Sequence, residues 1–461
     1  MSVKILIMLL PIGLMGQTVS ADLSNMMQRL DKLEQQNKQL AAEVESLRLE
    51  LSAIKGGAVP DAGPSVAGPS TAERLDVHDS RIEELAQTKV ESSQRVPISL
   101  TGMLLFNAFA NGKNGASFTP YPLTAALNAG LRNSGATMRQ TVLGLKFDGP
   151  GLVGGGKASG NVYMDFYGGS IDPSVGHLMR LRVATLDLAW KRTTVTVGQD
   201  KPIFAPREPT SLAQVGISPL TSAGNLWDWR PQARVEQRFE LGANAGVKAQ
   251  GGVYMTYEND INLPANIPGT TTAVLATLER WRPAYEGRLE FWTHSGERKF
   301  EIAPGLHFSS SHVSGASVPS TIASLDWKFQ PGRQFAFTGA WFRGKNTANT
   351  GAMRQGFVVT GPATATAVHS WGGWGQSTFF LTPRLTWNLY GGQQRDRAAD
   401  LGVNFFAGGG ITRNFVYAGN FMYRLAPNIL ASFEASQTRT NYRNSGIRLN
   451  NHYDLSLAYL F

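Results

Sequence analysis

From Pro97 onward the sequence alternates apolar and polar residues with a period of two, and it does so many times over. In Lys157 to Tyr167, Ala158, Gly160, Val162, Met164 and Phe166 interleave with Ser159, Asn161, Tyr163, Asp165 and Tyr167. In Lys299 to Ser309, Phe300, Ile302, Leu306 and Phe308 interleave with Lys299, Glu301, His307 and Ser309. Successive side chains of a strand point to opposite faces, so each run has one apolar and one polar face. Sixteen strands are predicted, at 98–110, 139–148, 157–167, 178–190, 192–199, 231–240, 246–258, 283–293, 298–309, 320–329, 333–343, 374–381, 383–391, 410–424, 428–440 and 450–461. The even-numbered connections are short and include Pro331-Gly332, Thr382-Pro383 and Ala426-Pro427. The odd-numbered ones are mostly long, notably 111–138, 200–230, 259–282 and 344–373.

Short turns at one end of a sheet and long loops at the other are expected of an outer-membrane barrel, whereas a soluble sandwich has no reason to obey that rule. No apolar run of 18 residues follows the N-terminal segment, so helical spans are not expected despite 42% hydrophobic residues. Lipid leaves no partner for free backbone groups, which requires closure of the sheet. The predicted fold class is therefore an all-β transmembrane antiparallel β-barrel of about sixteen strands over 97–461, preceded by an α-helical coiled coil. The last strand puts Tyr453, Leu455, Leu457, Tyr459 and Phe461 on one face and His452, Asp454, Ser456 and Ala458 on the other. Its aromatic end resembles the terminal signal of bacterial outer-membrane proteins, with Tyr459 and Phe461 expected in the periplasmic girdle.

Residues 1–21 read as a signal peptide. Lys4 precedes an apolar run from Ile5 to Met15, broken by Pro11 and Gly13 and too short to span a bilayer, and Val19-Ser20-Ala21 suits cleavage. In 22–55, Leu23, Met26, Leu30, Leu33, Leu40, Val44, Leu47, Leu51 and Ile54 recur in alternating steps of three and four, with Asn37 in the remaining slot. That is a coiled-coil seam whose polar core position sets register. A Gly/Pro linker spans 56–70, and a weaker helical segment, 71–96, carries Leu75, Ile82 and Leu85, with His78 in a core slot but no partner at metal-site spacing. Residues 22–96 hold 9 basic and 13 acidic residues, net −4, and 97–461 hold 33 and 21, net +12. The basic excess belongs to the barrel. The chain has no cysteine, which excludes disulfides and thiolate chemistry.

The connection Asp200 to Arg230 has five prolines when Pro231 is included, so it is expected to be stiff and structured. It either folds into the lumen or remains an ordinary external loop. Strand parity sends Arg180 and Arg182 inward, with a bulge near Ala184 to restore Leu186 and Leu188 to the lipid face. The same parity sends in Arg192, then Arg234, Glu236, Arg238 and Glu240, then Glu286, Arg288 and Glu290, while the long connection adds Lys201, Arg207 and Glu208. Arg or Lys facing lipid at midplane costs about 2–4 kcal/mol, so the lumen is the cheaper place for them. Two readings remain: an anion-attracting constriction, or a ladder of Arg–Glu pairs stiffening the wall.

This layout of signal, periplasmic coiled coil, linker and basic sixteen-strand barrel resembles the trimeric porins of the DcaP type, and less closely the phosphate-selective porins. The position of the long connection is similar to that of the lumen-folded loop in trimeric sixteen-strand porins. The resemblance implies a homotrimer in outer-membrane lipid that takes up small anions such as dicarboxylates; no Lys- and Arg-dense loop points to strict phosphate selectivity. The alternatives are a non-selective general porin or a structural barrel that ties the outer membrane to the cell wall through the coiled coil. Enzymatic activity is not expected, because His307 points to the lumen, His177, His294, His312 and His369 fall in connections, and Asp165 stands alone. No catalytic residue, metal site, cofactor or nucleic-acid partner is expected.

Overall fold

The computed structural model describes residues 98–461 apart from 116–119, 170–176, 259–262, 273 and 403–408. The expected signal peptide, coiled coil, linker and second helical segment lie outside the described residues. Sixteen strands form the barrel. The first half comprises β1 (Ile98–Asn111), β2 (Asn133–Thr137 and Val142–Leu152), β3 (Gly156–Gly168), β4 (Leu178–Ala189), β5 (Thr193–Asp200), β6 (Arg230–Glu240), β7 (Ala245–Tyr257) and β8 (Trp281–Ser295). The second half comprises β9 (Arg298–Val313), β10 (Ala316–Gln330), β11 (Phe335–Lys345), β12 (His369–Phe380), β13 (Leu385–Asp396), β14 (Ile411–Ala426), β15 (Ile429–Tyr442) and β16 (Gly446–Leu460). Each strand pairs antiparallel with the next, and β16 closes on β1 from Met103↔Leu460 to Asn111↔His452. Closure removes every free sheet edge along that seam.

The barrel is inside out relative to a soluble protein. On β16, His452, Asp454 and Ser456 are each 2% exposed, whereas Leu455 is 57% and Leu457 49% exposed. Near the short-turn end an unbroken outward row runs Phe335, Phe379, Trp387, Phe421, Phe433 across β11 to β15. Tyr459 and Phe461 stack near the same end, at 6.3 Å between rings. This is the aromatic girdle that marks a headgroup layer.

Three departures from the expected strands have local causes. The second strand is broken at 138–141, because Thr141 Oγ1 replaces a ladder acceptor for Leu105 N (3.1 Å) and Gln140 turns inward to bind Asn107 (3.0 Å). β9 and β10 run past the expected ends and join in the two-residue turn Ser314-Gly315, both at positive φ, so that odd-numbered connection is short. β4 carries its bulge between its pairings to Tyr163 and Met164, which turns both Arg182 and Thr185 inward. A further hairpin in the β11–β12 connection, Phe357–Gly361 with Thr364–Ala367, packs Phe357 and Val359 against Ile267, Val313 and Val318 over the long-loop end.

β5 has only eight residues. Above it the edge of β4 has no strand partner among the described residues, and Gln199 Nε2 caps the carbonyls of Leu181 and Arg182, both at 3.0 Å.

Candidate pore constriction

Beyond Asp200 the chain leaves the wall and crosses the interior until Arg230 rejoins it. Backbone groups of the loop are tied to side chains all around the wall. Ile203 N donates to Glu286 (2.7 Å), Ser324 donates to Phe204 O (2.6 Å), and Thr210 N donates to Gln376 (2.7 Å). Asn107 donates to Leu212 O (2.9 Å), and Gln140 accepts from Val215 N (2.7 Å) and Gly216 N (2.8 Å). Those polar side chains occupy inward positions of strands whose other face is apolar, so the alternation that builds the barrel also supplies partners for a buried loop. Apolar loop residues seat among them: Phe204, Ala205 and Leu226 pack with Ile322 and Phe342, and Leu220 and Ala223 with Trp374 and Tyr390. At Gly224 (φ 106°) a Cβ would lie 2.2 Å from Gly373 O, so only glycine permits the close approach.

On the short-turn side of the loop is a cavity of about 570 Å³ with a dense set of ion pairs. Arg288 binds Asp326 (2.8 Å) and Glu290 (2.6 Å); Arg207 from the loop shares Asp326 and reaches Glu301 (2.7 Å). Lys248 binds Glu290 (3.1 Å), Arg234 binds Asp200 (2.8 Å), Arg238 binds Glu236 (3.0 Å) and Lys201 binds Glu208. In these pairs six cations face six carboxylates, so the paired set is electrically balanced. Arg288 and Asp326 are nearly inaccessible, and deleting one partner of such a pair costs about 3–5 kcal/mol because the other charge is left without solvent or counter-ion.

The long-loop side differs. Arg180 and Arg182 share one carboxylate, Asp165, at 2.6 and 3.6 Å, and Arg230 pairs with Asp228 at 2.6 Å. Arg354 also lines the cavity of about 460 Å³ there, and has no carboxylate within ion-pair distance among the described residues. Among the described residues, four arginines thus meet two carboxylates within ion-pair distance, with Glu208 acting on Arg182 from farther away. Aromatic faces hold the guanidinium planes instead: Arg182 lies 4.5 Å and Arg180 5.2 Å from the Trp229 ring, and Arg230 5.3 Å from Tyr257. Burial pushes the Asp228 carboxyl above its ordinary range, and Arg230 offsets this only in part.

Of the residues named from sequence, Arg180 and Arg182 lie together on the long-loop side, and Arg234, Arg238, Arg288, Lys201, Arg207 and Glu208 on the other. Arg192 joins neither group; it sits in the β4–β5 turn, half exposed, 3.5 Å from Glu240. Sequence reasoning missed Arg230, Arg354, Lys248 and Asp326. Inward parity with Gln250 and Tyr254 marks Lys248, and parity with Ser324 marks Asp326. No periodic signal marks Arg354, which lies in a connection.

No family model and no curated protein matches the chain. Among solved structures the barrel is similar to the outer membrane channel DcaP of Acinetobacter baumannii, at 16% identity, covering 79% of this chain and 97% of that one, with a TM-score of 0.61. It is also similar to an anion-selective porin from Comamonas acidovorans, at 12% identity, covering 80% of this chain and all of that one, with a TM-score of 0.47. At 16% identity the likeness to DcaP is one of fold: a closed sixteen-strand antiparallel barrel.

Proposed function

We propose that the protein is an outer-membrane diffusion channel for small hydrophilic solutes, with a preference for anions of the dicarboxylate kind. The supporting observation is the imbalance across the inward loop: among the described residues Arg180, Arg182, Arg230 and Arg354 have only Asp165 and Asp228 within ion-pair distance on the long-loop side. A cation surplus between low-dielectric walls concentrates counter-ions at the entrance, and guanidinium forks match carboxylate geometry. Arg234, Arg238, Arg288, Lys201, Arg207 and Glu208, being paired, are wall and loop braces in this reading rather than free anion ligands. The fold likeness to a solved outer-membrane channel supports the location and the channel class.

A homotrimer belongs to the same reading. A transmembrane strand needs about 9–11 residues, and β5 has eight. Lipid beside β5 would meet the uncovered β4 edge, whereas the wall of a second copy would cover it. The N-terminal coiled coil, in the periplasm, would serve the same assembly, with a cell-wall contact as its further role. Liposome swelling tests the solute class. Dicarboxylates should enter faster than neutral sugars of similar size; equal rates would reduce the protein to a non-selective channel, and no swelling would remove the channel reading.

A further inference from the structure

A set of arginines uninvolved in the lumen lies on the outer wall at the long-loop end. The register across β11 to β15 places Arg343, Trp371, Arg395, Arg413 and Asn441 in one outward row. The adjacent row, one step toward the short turns, contains Phe415 opposite Arg439. Among the described residues none of these four arginines has a carboxylate within ion-pair distance; Asp396, which also lines the cavity here, accepts from Gln355 (2.8 Å) and Gln394 (2.9 Å), and Asp400 is taken by His369 and Arg397. Three of the guanidinium groups lie instead on rings, Arg395 5.8 Å from Trp371, Arg413 5.5 Å from Phe415 and Arg439 6.0 Å from Tyr417, and Arg439 Nε also donates to Gln437 (2.9 Å). Arg413 Nε is buried without a hydrogen-bond partner. Arg395 and Arg413 stand directly opposite each other, an arrangement of like charges that destabilises a sheet unless an anion is shared between them.

Height decides which anion. From Phe335 in the aromatic girdle to Arg343 is eight residues, about 27 Å along the strand and about 20 Å along the barrel axis after tilt. The lipid-facing apolar band of such barrels is about 25 Å tall, so the backbone of the row stands about 5 Å short of its far edge, and the long arginine side chains reach from there into the opposite headgroup layer. Below it Gly339, Gly375 and Gly391 stand side by side in an outward row, with the Trp327 ring lying over Gly339 and the Phe337 ring against Gly375, so the wall beneath a cavity of about 450 Å³ is flat and apolar. We infer that this face binds the phosphate groups of an anionic glycolipid of the outer leaflet, with the acyl chains lying along the flat apolar wall below. The guanidinium forks bind phosphate bidentately, and the rings hold the forks in place while the site is empty. This rests on the outer-membrane reading but not on solute selectivity.

Native mass spectrometry of the detergent-solubilised protein tests it with three probes: bis-phosphorylated lipid A, its dephosphorylated form with the same chains, and inorganic phosphate. Bis-phosphorylated lipid A should be retained about tenfold more tightly than the dephosphorylated form, inorganic phosphate should not be retained, and R395Q/R413Q should lose about tenfold in affinity. Equal retention of both lipids, equal retention by the variant, or capture of inorganic phosphate as strong as that of the lipid would overturn the proposal. If the double variant does not fold, as judged by heat-modifiable mobility, the wild-type ranking of the three probes still decides. Conductance separates the two readings: a conducting barrel blind to lipid phosphates defeats this inference alone, and a phosphate-selective barrel that does not conduct defeats the channel alone.

Discussion

Arginines on the two faces of this wall keep different company. Beneath the loop, Arg207 and Arg288 converge on Asp326, with Glu290 and Glu301 completing the set, and almost no solvent reaches the centre. On the outer row Arg395 and Arg413 face each other with only aromatic rings for support. The long-loop side of the lumen is intermediate, with four arginines to two carboxylates. A guanidinium that is saturated by fixed carboxylates braces a wall, and one that is not remains available to a mobile anion. The face of the wall sets which anion arrives: a solute inside, a lipid headgroup outside.

The comparison breaks most visibly at Asp326. Asp326→Ala leaves two buried guanidinium groups short of a partner and should destabilise the barrel by about 3 kcal/mol, seen as a lower temperature of conversion to the unfolded electrophoretic form. An unchanged temperature would mean that Glu290 and Glu301 suffice. Next in size, R180Q/R230Q should lower the anion-to-cation permeability ratio about fivefold, equivalent to ~1 kcal/mol, read from reversal potentials. The matched loss of Arg234 and Asp200, R234Q/D200N, should leave that ratio nearly unchanged, because a pair is removed and not a surplus charge.

Acidification gives a smaller effect with a defined sign. The Asp228 carboxyl titrates above the ordinary carboxylate range, so as pH falls toward its raised pKa it loses its charge while most carboxylates keep theirs. The local surplus of positive charge grows, and anion preference should rise about twofold. In Asp228→Asn the rise should vanish and the higher preference should already be present at neutral pH. The smallest effect belongs to the outer row: without lipid, Arg395→Gln relieves a like-charge pair and should stabilise the barrel by about 0.2–1 kcal/mol, with no change in ion selectivity. A loss of stability would show that Arg395 is a brace after all.

Much of this was legible in the sequence because a strand repeats every two residues. That period places Arg180, Arg234 and Arg288 inward, and the switch of parity before Leu186 and Leu188 betrays the β4 bulge. What parity does not carry is register. Whether Arg288 meets Asp326 or stands free depends on which residues of β8, β9 and β10 lie level, and that follows from pairing across the barrel. The break in β2 was equally hidden, since Thr141 supports the backbone through its hydroxyl and the pattern of alternation shows no gap. Arg354 lies in a connection, where no period exists. The outer arginines stand where the lipid-cost argument no longer assigns a face: a charge on the lipid face is costly at midplane, but near the interface the cost falls to about 0–1 kcal/mol.

The surplus of arginine on the long-loop side is the central claim, and the reversal potential of the purified protein in a planar bilayer under a potassium chloride gradient measures it directly. The account predicts conducting steps and a reversal potential whose sign favours chloride. A sign that favours potassium would contradict it.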